Sequence, residues 1–136
     1  IYDSPLAHNY EASLVRDPHQ RATSVIETKI AIDSLDNLLD KGALKGIDLI
    51  KIDVERYEPE VLAGFKKLAE YLPDMLIEIL DEEVAQQIEA QIGHLPYLYF
   101  NISEKNGPRR TDNLAPSDTF NYLICKESSA AYLGLL

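Results

Sequence analysis

Lys51, Asp53, Glu55 and Glu58 crowd one short stretch, "KIDVERYE". Carboxylates grouped in this way can take a proton from a hydroxyl, anchor a polar substrate or share a metal ion. The stretch closes an apolar run from Ile47 to Val54 and opens a segment with helical spacing. A plain strand-to-helix joint needs one capping residue. This joint brings several charges. A further acid, Glu78, stands inside the apolar "MLIEIL". There a carboxylate is costly unless it is paired or opens into a polar cleft.

Ligands of open α/β sheets bind beyond the carboxyl ends of parallel strands. Asp53 and Glu55, at that end of the Ile47–Val54 strand, and Glu78 in the next strand would form an acidic cleft at two strand ends. If the extended backbone continues through Glu55, period-two alternation points Asp53 and Glu55 the same way. Lys51 is expected to pair with one of the acids. Glu58 and Glu60 are expected at the positive end of a helix dipole. The three histidines, His8, His19 and His94, are scattered, and their spacing makes no metal site; no metal centre is expected. His8, in "LAHNYEAS", reads more simply as a surface-loop residue, and His19 and His94 read as solvent-facing loop residues. Arg109 and Arg110 could clamp an acidic acceptor, but they read more simply as part of a solvated loop.

The elements that must position these residues follow from periodicity. "SVIETKIAI" (24–32) is rich in β-branched residues and predicts a strand anchored by Val25, Ile30 and Ile32. "DSLDNLLDKGALKG" predicts a short helix capped by Asp33 or Ser34, with Leu35, Leu38 and Leu39 on one face. "IDLIKIDV" and "MLIEIL" are apolar on both parities, the pattern of strands covered on both faces of a parallel sheet. "YEPEVLAGFKKLAEYL" predicts one helix that starts with Pro59 in its first turn and stops at Pro73. "DEEVAQQIEAQIG" predicts an amphipathic helix from an Asp81 cap to Gly93. "LPYLYFNIS" and "DTFNYLICK" predict two more strands, and "EKNGPRRTDNLAPS" between them reads as a loop. The order implies an α/β fold with a mostly parallel sheet. The last two strands lack a helical connection, so the final one should run antiparallel.

Composition narrows the function. A formal net charge of -10 over 136 residues argues against a nucleic-acid or anionic-membrane surface. No run approaches the roughly 20 apolar residues of a membrane span. The single Cys125, in "FNYLICK", excludes an internal disulfide framework and reads as a buried core thiol. That fits a reducing, cytoplasmic setting. Asn101-Ile-Ser103 matches a glycosylation sequon but sits in a strand-like context. The chain opens at Ile1 and its one Met is Met75, so it reads as a piece of something longer.

At the charged joint the sequence resembles the FkbM family of S-adenosylmethionine-dependent methyltransferases. The resemblance is carried by Lys51-Ile52-Asp53-Val54-Glu55, then Glu58, then Glu60-Val61-Leu62-Ala63-Gly64. It is supported by Ser13-Leu14, Ser34-Leu35-Asp36, "PDMLIEIL" and "FNYLICK". It implies a Rossmann-like class I methyltransferase sheet, S-adenosylmethionine as cofactor, and a small-molecule or glycan hydroxyl as acceptor. Asp53 would be the base or substrate anchor, Glu55 a hydroxyl acceptor or possible metal ligand, and Glu78, His8 and Ser13 acceptor-site residues. Arg56 stands where the family usually has Gly. The glycine-rich loop that cradles the cofactor does not occur, so no cofactor-binding residue can be named. On this reading residues 1–136 form a single partial domain, the C-terminal half, with the cofactor half missing. Such a chain alone should bind the cofactor poorly and self-associate through its exposed sheet edge. The alternative is a non-catalytic α/β binding or assembly module derived from the same fold. A nucleotide-dependent oxidoreductase is disfavoured, because no G-x-G-x-x-G occurs.

Overall fold

The computed structural model describes Tyr2–Asp3, Ile26–Glu27 and residues 29–136. Strands β1 (Tyr2–Asp3) and β2 (Ile26–Glu27) pair antiparallel as a separate two-stranded sheet. The rest alternates: α1 (Leu35–Asp40), β3 (Leu49–Ile52), α2 (Glu58–Ala63), α3 (Leu68–Tyr71), β4 (Asp74–Glu78), α4 (Glu82–Ile92) and β5 (Tyr97–Ser103). Then come β6 (Gly107–Thr111), β7 (Asn121–Lys126) and α5 (Glu127–Tyr132). The five strands form one open sheet in the order β3-β4-β7-β5-β6.

The α/β class is as the alternation implied, but the sheet is not mostly parallel. β3 and β4 form its one parallel pair; β4–β7, β7–β5 and β5–β6 are antiparallel. β3, β4 and β5 do run the same way. The final strand slots between β4 and β5 and separates them. Its antiparallel direction matches the expectation from the missing crossover helix.

Local signals placed the helix ends well. Ser34 caps α1 by accepting the Asn37 N–H (3.2 Å), and Asp81 caps α4 by accepting the Val84 N–H (2.9 Å). Gly93 ends α4 where a Cβ would lie 2.7 Å from the Glu89 carbonyl oxygen, so no larger residue fits undisturbed. The helix predicted between Tyr57 and Leu72 is instead two, α2 and α3. The Asp36 carboxylate of α1 accepts the N–H groups of Lys66 (2.9 Å) and Lys67 (3.2 Å), diverting them from a continuous helical ladder. The segment read as a loop contains β6. Its Pro108 is tolerated because β6 is the outer strand, where a missing N–H need not break the ladder.

The two faces of the sheet are covered unequally. Ile52, Met75, Ile77, Tyr97, Tyr99, Tyr122 and Ile124 join Leu62, Phe65, Leu68, Ile88 and Ile92 in the main core, with Leu35 and Leu39 packed against it. The opposite face carries a smaller cluster of Phe100, Cys125 and Ala130, partly covered by α5. β3 therefore does not read out as a doubly covered strand: Leu49 is 60% exposed and Lys51 is exposed. Of the strand predicted over 24–32, Ile26–Glu27 is strand and residues 29–32 have no regular structure. Ile30 and Ile32, expected as anchors, are exposed in a segment without regular structure, and Val25 lies outside the described residues. Asn101 is buried; its side-chain amide donates to Ser117 Oγ (2.8 Å) and its carbonyl accepts from Thr119 Oγ1 (3.1 Å). The sequon asparagine is thus committed inside the fold. Among the described residues no helix is long and apolar enough to cross a membrane.

Ile77 is fully buried at the centre of the main core, whereas Tyr132 is 91% exposed. Ile77→Ala should cost about 3 kcal/mol in urea denaturation, and Tyr132→Ala should stay within about 0.5 kcal/mol.

Candidate functional site

The parallel register assembles the site. Ile52 pairs with Ile77, so Asp53 and Glu78 follow side by side at the carboxyl ends of β3 and β4. The strand then stops. Glu55 (φ 53°) and Arg56 (φ 74°) adopt left-handed backbone conformations, so the alternation expected through Glu55 does not hold. The turn achieves the same convergence by another route. One carboxylate oxygen from each of Asp53, Glu55 and Glu78 lies within 4.8 Å of the others.

A left-handed residue with a side chain costs roughly 1–2 kcal/mol, and two in succession need support. The Val54 N–H donates to Glu58 Oε1 (3.0 Å) from within the turn. Arg56 Nη1 lies 3.3 Å from an Asp81 carboxylate oxygen at the start of α4. Arg56 thus occupies a left-handed position that a Gly would hold without strain, and its exposed side chain reaches across to the segment that follows β4.

Glu58 and Glu60 stand in the first turn of α2, at the positive end of its dipole as expected. What the sequence reading did not state is that Glu58 is completely buried. The sequence did carry a signal: Glu58, Leu62 and Phe65 are spaced i, i+4, i+7 on the buried stripe of the helical pattern. Its Oε2 and the Glu78 Oε2 are buried with no hydrogen-bond partner. Burial pushes the Glu58 carboxyl above its ordinary range, partly offset by the Val54 N–H. Burial also pushes Glu78 up, reinforced by repulsion from Asp53, Glu55 and Glu58 and opposed by Lys51. Lys51 is the counter-charge: its Nζ lies 2.6 Å from Asp53 Oδ2, and that hydrogen bond raises the lysine's affinity for its proton. The expected pairing of Lys51 with an acid is met.

The structure thus joins three of the predicted site residues, Asp53, Glu55 and Glu78, and adds Glu58. His8 and Ser13, expected in the acceptor site, and His19 lie outside the described residues. His94 is exposed after α4, as expected. Arg109 and Arg110 are exposed on β6, at the sheet edge opposite β3, and take no part. Cys125 is buried and burial pushes its thiol up, which keeps it protonated and inert. A hollow of about 500 Å³, lined in part by Ile32, Ser34, Leu35, Tyr57, Glu60 and Val61, opens beside the same turn. Chemically, the three converging carboxylates can accept a hydroxyl proton, hold a polyol by several hydrogen bonds, or share a cation.

The methyltransferase FkbM domain matches residues 3–101, which carry Asp53, Glu55, Glu58 and Glu78. The chain belongs to the FkbM methyltransferase family. No curated protein and no solved structure matches it. The FkbM match ends in β5, so β6, β7 and α5 lie beyond it.

A carboxyl whose folded pKa is raised binds its proton more tightly in the folded state. Its contribution to stability is therefore fully present at low pH and is lost as pH rises through the folded value. Glu78→Gln should accordingly raise the melting temperature at neutral pH. The gain should fade as pH falls toward the ordinary glutamate range, measured by thermal melts of both proteins across pH.

Proposed function

We propose that this FkbM domain transfers a methyl group from S-adenosylmethionine to a hydroxyl of a sugar, glycan or secondary metabolite. The observation that carries the reading is the convergence of Asp53, Glu55 and Glu78 at the carboxyl ends of the parallel β3–β4 pair, in a chain of a methyltransferase family. When bound, S-adenosylmethionine supplies a methyl group activated by a cationic sulfur. The donor set suits that chemistry in part. Acids with buried, unpartnered oxygens favour a cationic or proton-donating ligand, while the described residues contain no glycine-rich loop to cradle the methionine part of the cofactor.

The chain's own residues have separable tasks in this reading. Methyl transfer is an in-line displacement, so alignment of the acceptor oxygen dominates. Asp53, held by Lys51 and still 40% exposed at its side chain, accepts the hydroxyl proton. Glu55 fixes a second polar group of the acceptor. Glu78, which holds its proton more tightly than an ordinary glutamate, can donate a hydrogen bond when protonated and accept one when ionised.

Calorimetric titration of the full-length protein with S-adenosylhomocysteine should show saturable binding. Methyl transfer from labelled S-adenosylmethionine to a panel of sugars and polyols should then identify the acceptor class. Asp53→Asn should lower kcat by about 10²–10⁴-fold while leaving S-adenosylhomocysteine binding unchanged. Absence of S-adenosylhomocysteine binding, or full activity in Asp53→Asn, would overturn the reading.

A further inference from the structure

The turn between β3 and α2 contains both Asp53 and Glu55, and Val54 sits between them. Neither a strand ladder nor a helix ladder fixes this backbone, and two of its residues are left-handed. Something outside the turn must select the conformation. Helix α2 is itself well anchored: Leu62 is buried in the main core, and Gln91 Nε2 of α4 donates to the Pro59 carbonyl (3.0 Å). Glu58, the first residue of α2, is fully buried, and its Oε1 accepts the Val54 N–H at 3.0 Å. One side chain thus links a fixed helix to the backbone between the two acids.

We infer that Glu58 is the positioning residue of the acid site, its buried carboxylate holding Val54 so that Asp53 and Glu55 face Glu78. Glu58 does not touch the acceptor; it acts through the turn. Its consequence for methyl transfer rests on the proposed function, but the positioning itself does not. The choice of a buried acid fits this role. A carboxylate is a stronger acceptor for a backbone N–H than a neutral group.

The charged groups acting on Glu78 are Asp53, Glu55, Glu58 and Lys51. Glu58→Gln and Glu58→Ala remove the same charge, but only Gln keeps an oxygen that can accept the Val54 N–H. Any difference between them therefore reports position and not charge. NMR hydrogen exchange should show the Val54 amide slow in the wild type and in Glu58→Gln. It should be at least about tenfold faster in Glu58→Ala, as expected for loss of one hydrogen bond. Carboxyl-carbon titration should keep Glu78 raised in the Gln variant and bring it closer to an ordinary glutamate in the Ala variant. Equal exchange and equal Glu78 titration in the two would overturn the inference. Should Glu58→Ala fail to fold, Glu58→Asp keeps the charge but falls one methylene short of Val54. Fast Val54 exchange there supports the role, and exchange as slow as wild type overturns it. Where methyl transfer is measurable, kcat should fall in Glu58→Ala and recover in Glu58→Gln with KM little changed. The exchange and titration need neither cofactor nor acceptor, so their failure is distinct from failure of the methyltransferase reading.

Discussion

The parallel pairing of β3 with β4 is the constraint on which the rest depends. Its register runs from Leu49 opposite Asp74 to Ile52 opposite Ile77, and it ends both strands at the same level. Asp53 and Glu78 are brought together there although 25 positions separate them in the chain. A slip of one residue would turn every side chain of β3 to the other face. Ile52 would leave the core and Lys51 would enter it. The register is held because Ile52, Met75 and Ile77 are buried on one side while Lys51 stays exposed on the other. The hydrophobic core and the acid site are two faces of one alignment.

The cost of the site is electrostatic and conformational. Glu58 and Glu78 are both held above their ordinary proton affinity, chiefly by burial, and Glu55 and Arg56 take left-handed backbone. Sites that do chemistry commonly carry such strain and such shifted acids, and the surrounding fold must offset them. Here the offset comes from a core with Met75, Ile77, Ile79, Ile88 and Ile92 all fully buried. Cross-links between elements help. Asp36 holds the Lys66 and Lys67 amides, Lys67 pairs with Asp40, and the Tyr97 hydroxyl donates to the Pro73 carbonyl (2.8 Å).

Arg56 shows how a departure from a family pattern can be absorbed. A glycine would meet the φ of 74° without strain. The arginine meets it with an ion pair to Asp81, the residue that also caps α4. The turn after β3 and the helix after β4 are thereby tied together on either side of the acids. Exposed ion pairs of this kind contribute modestly, so the pairing fixes geometry more than it adds stability.

The sequence alone determined what local chemistry decides. Period-two and period-3.6 patterns gave the order of the elements from α1 to β5 and of β7, though not β6 or the final helix α5, Ser34, Asp81 and Gly93 marked helix ends, and the charged joint at Asp53 and Glu55 marked the family and the candidate site. Each of those signals lies within about ten residues. The tertiary structure decided whatever depends on distant partners. Asp36 splits one helical pattern into α2 and α3 across thirty residues. β7 inserts between β4 and β5 and makes the sheet mixed. The second face is covered over β5 and β7 but not over β3, which is left half exposed although its composition suggested burial on both sides. Glu55 reaches Asp53 through a left-handed turn and not along a pleat. Glu58 shares the helical stripe of Leu62 and Phe65, but its complete burial follows from the packing of α2 on the core. Periodicity states that a side chain belongs to a face; only the packing of remote elements states what that face meets.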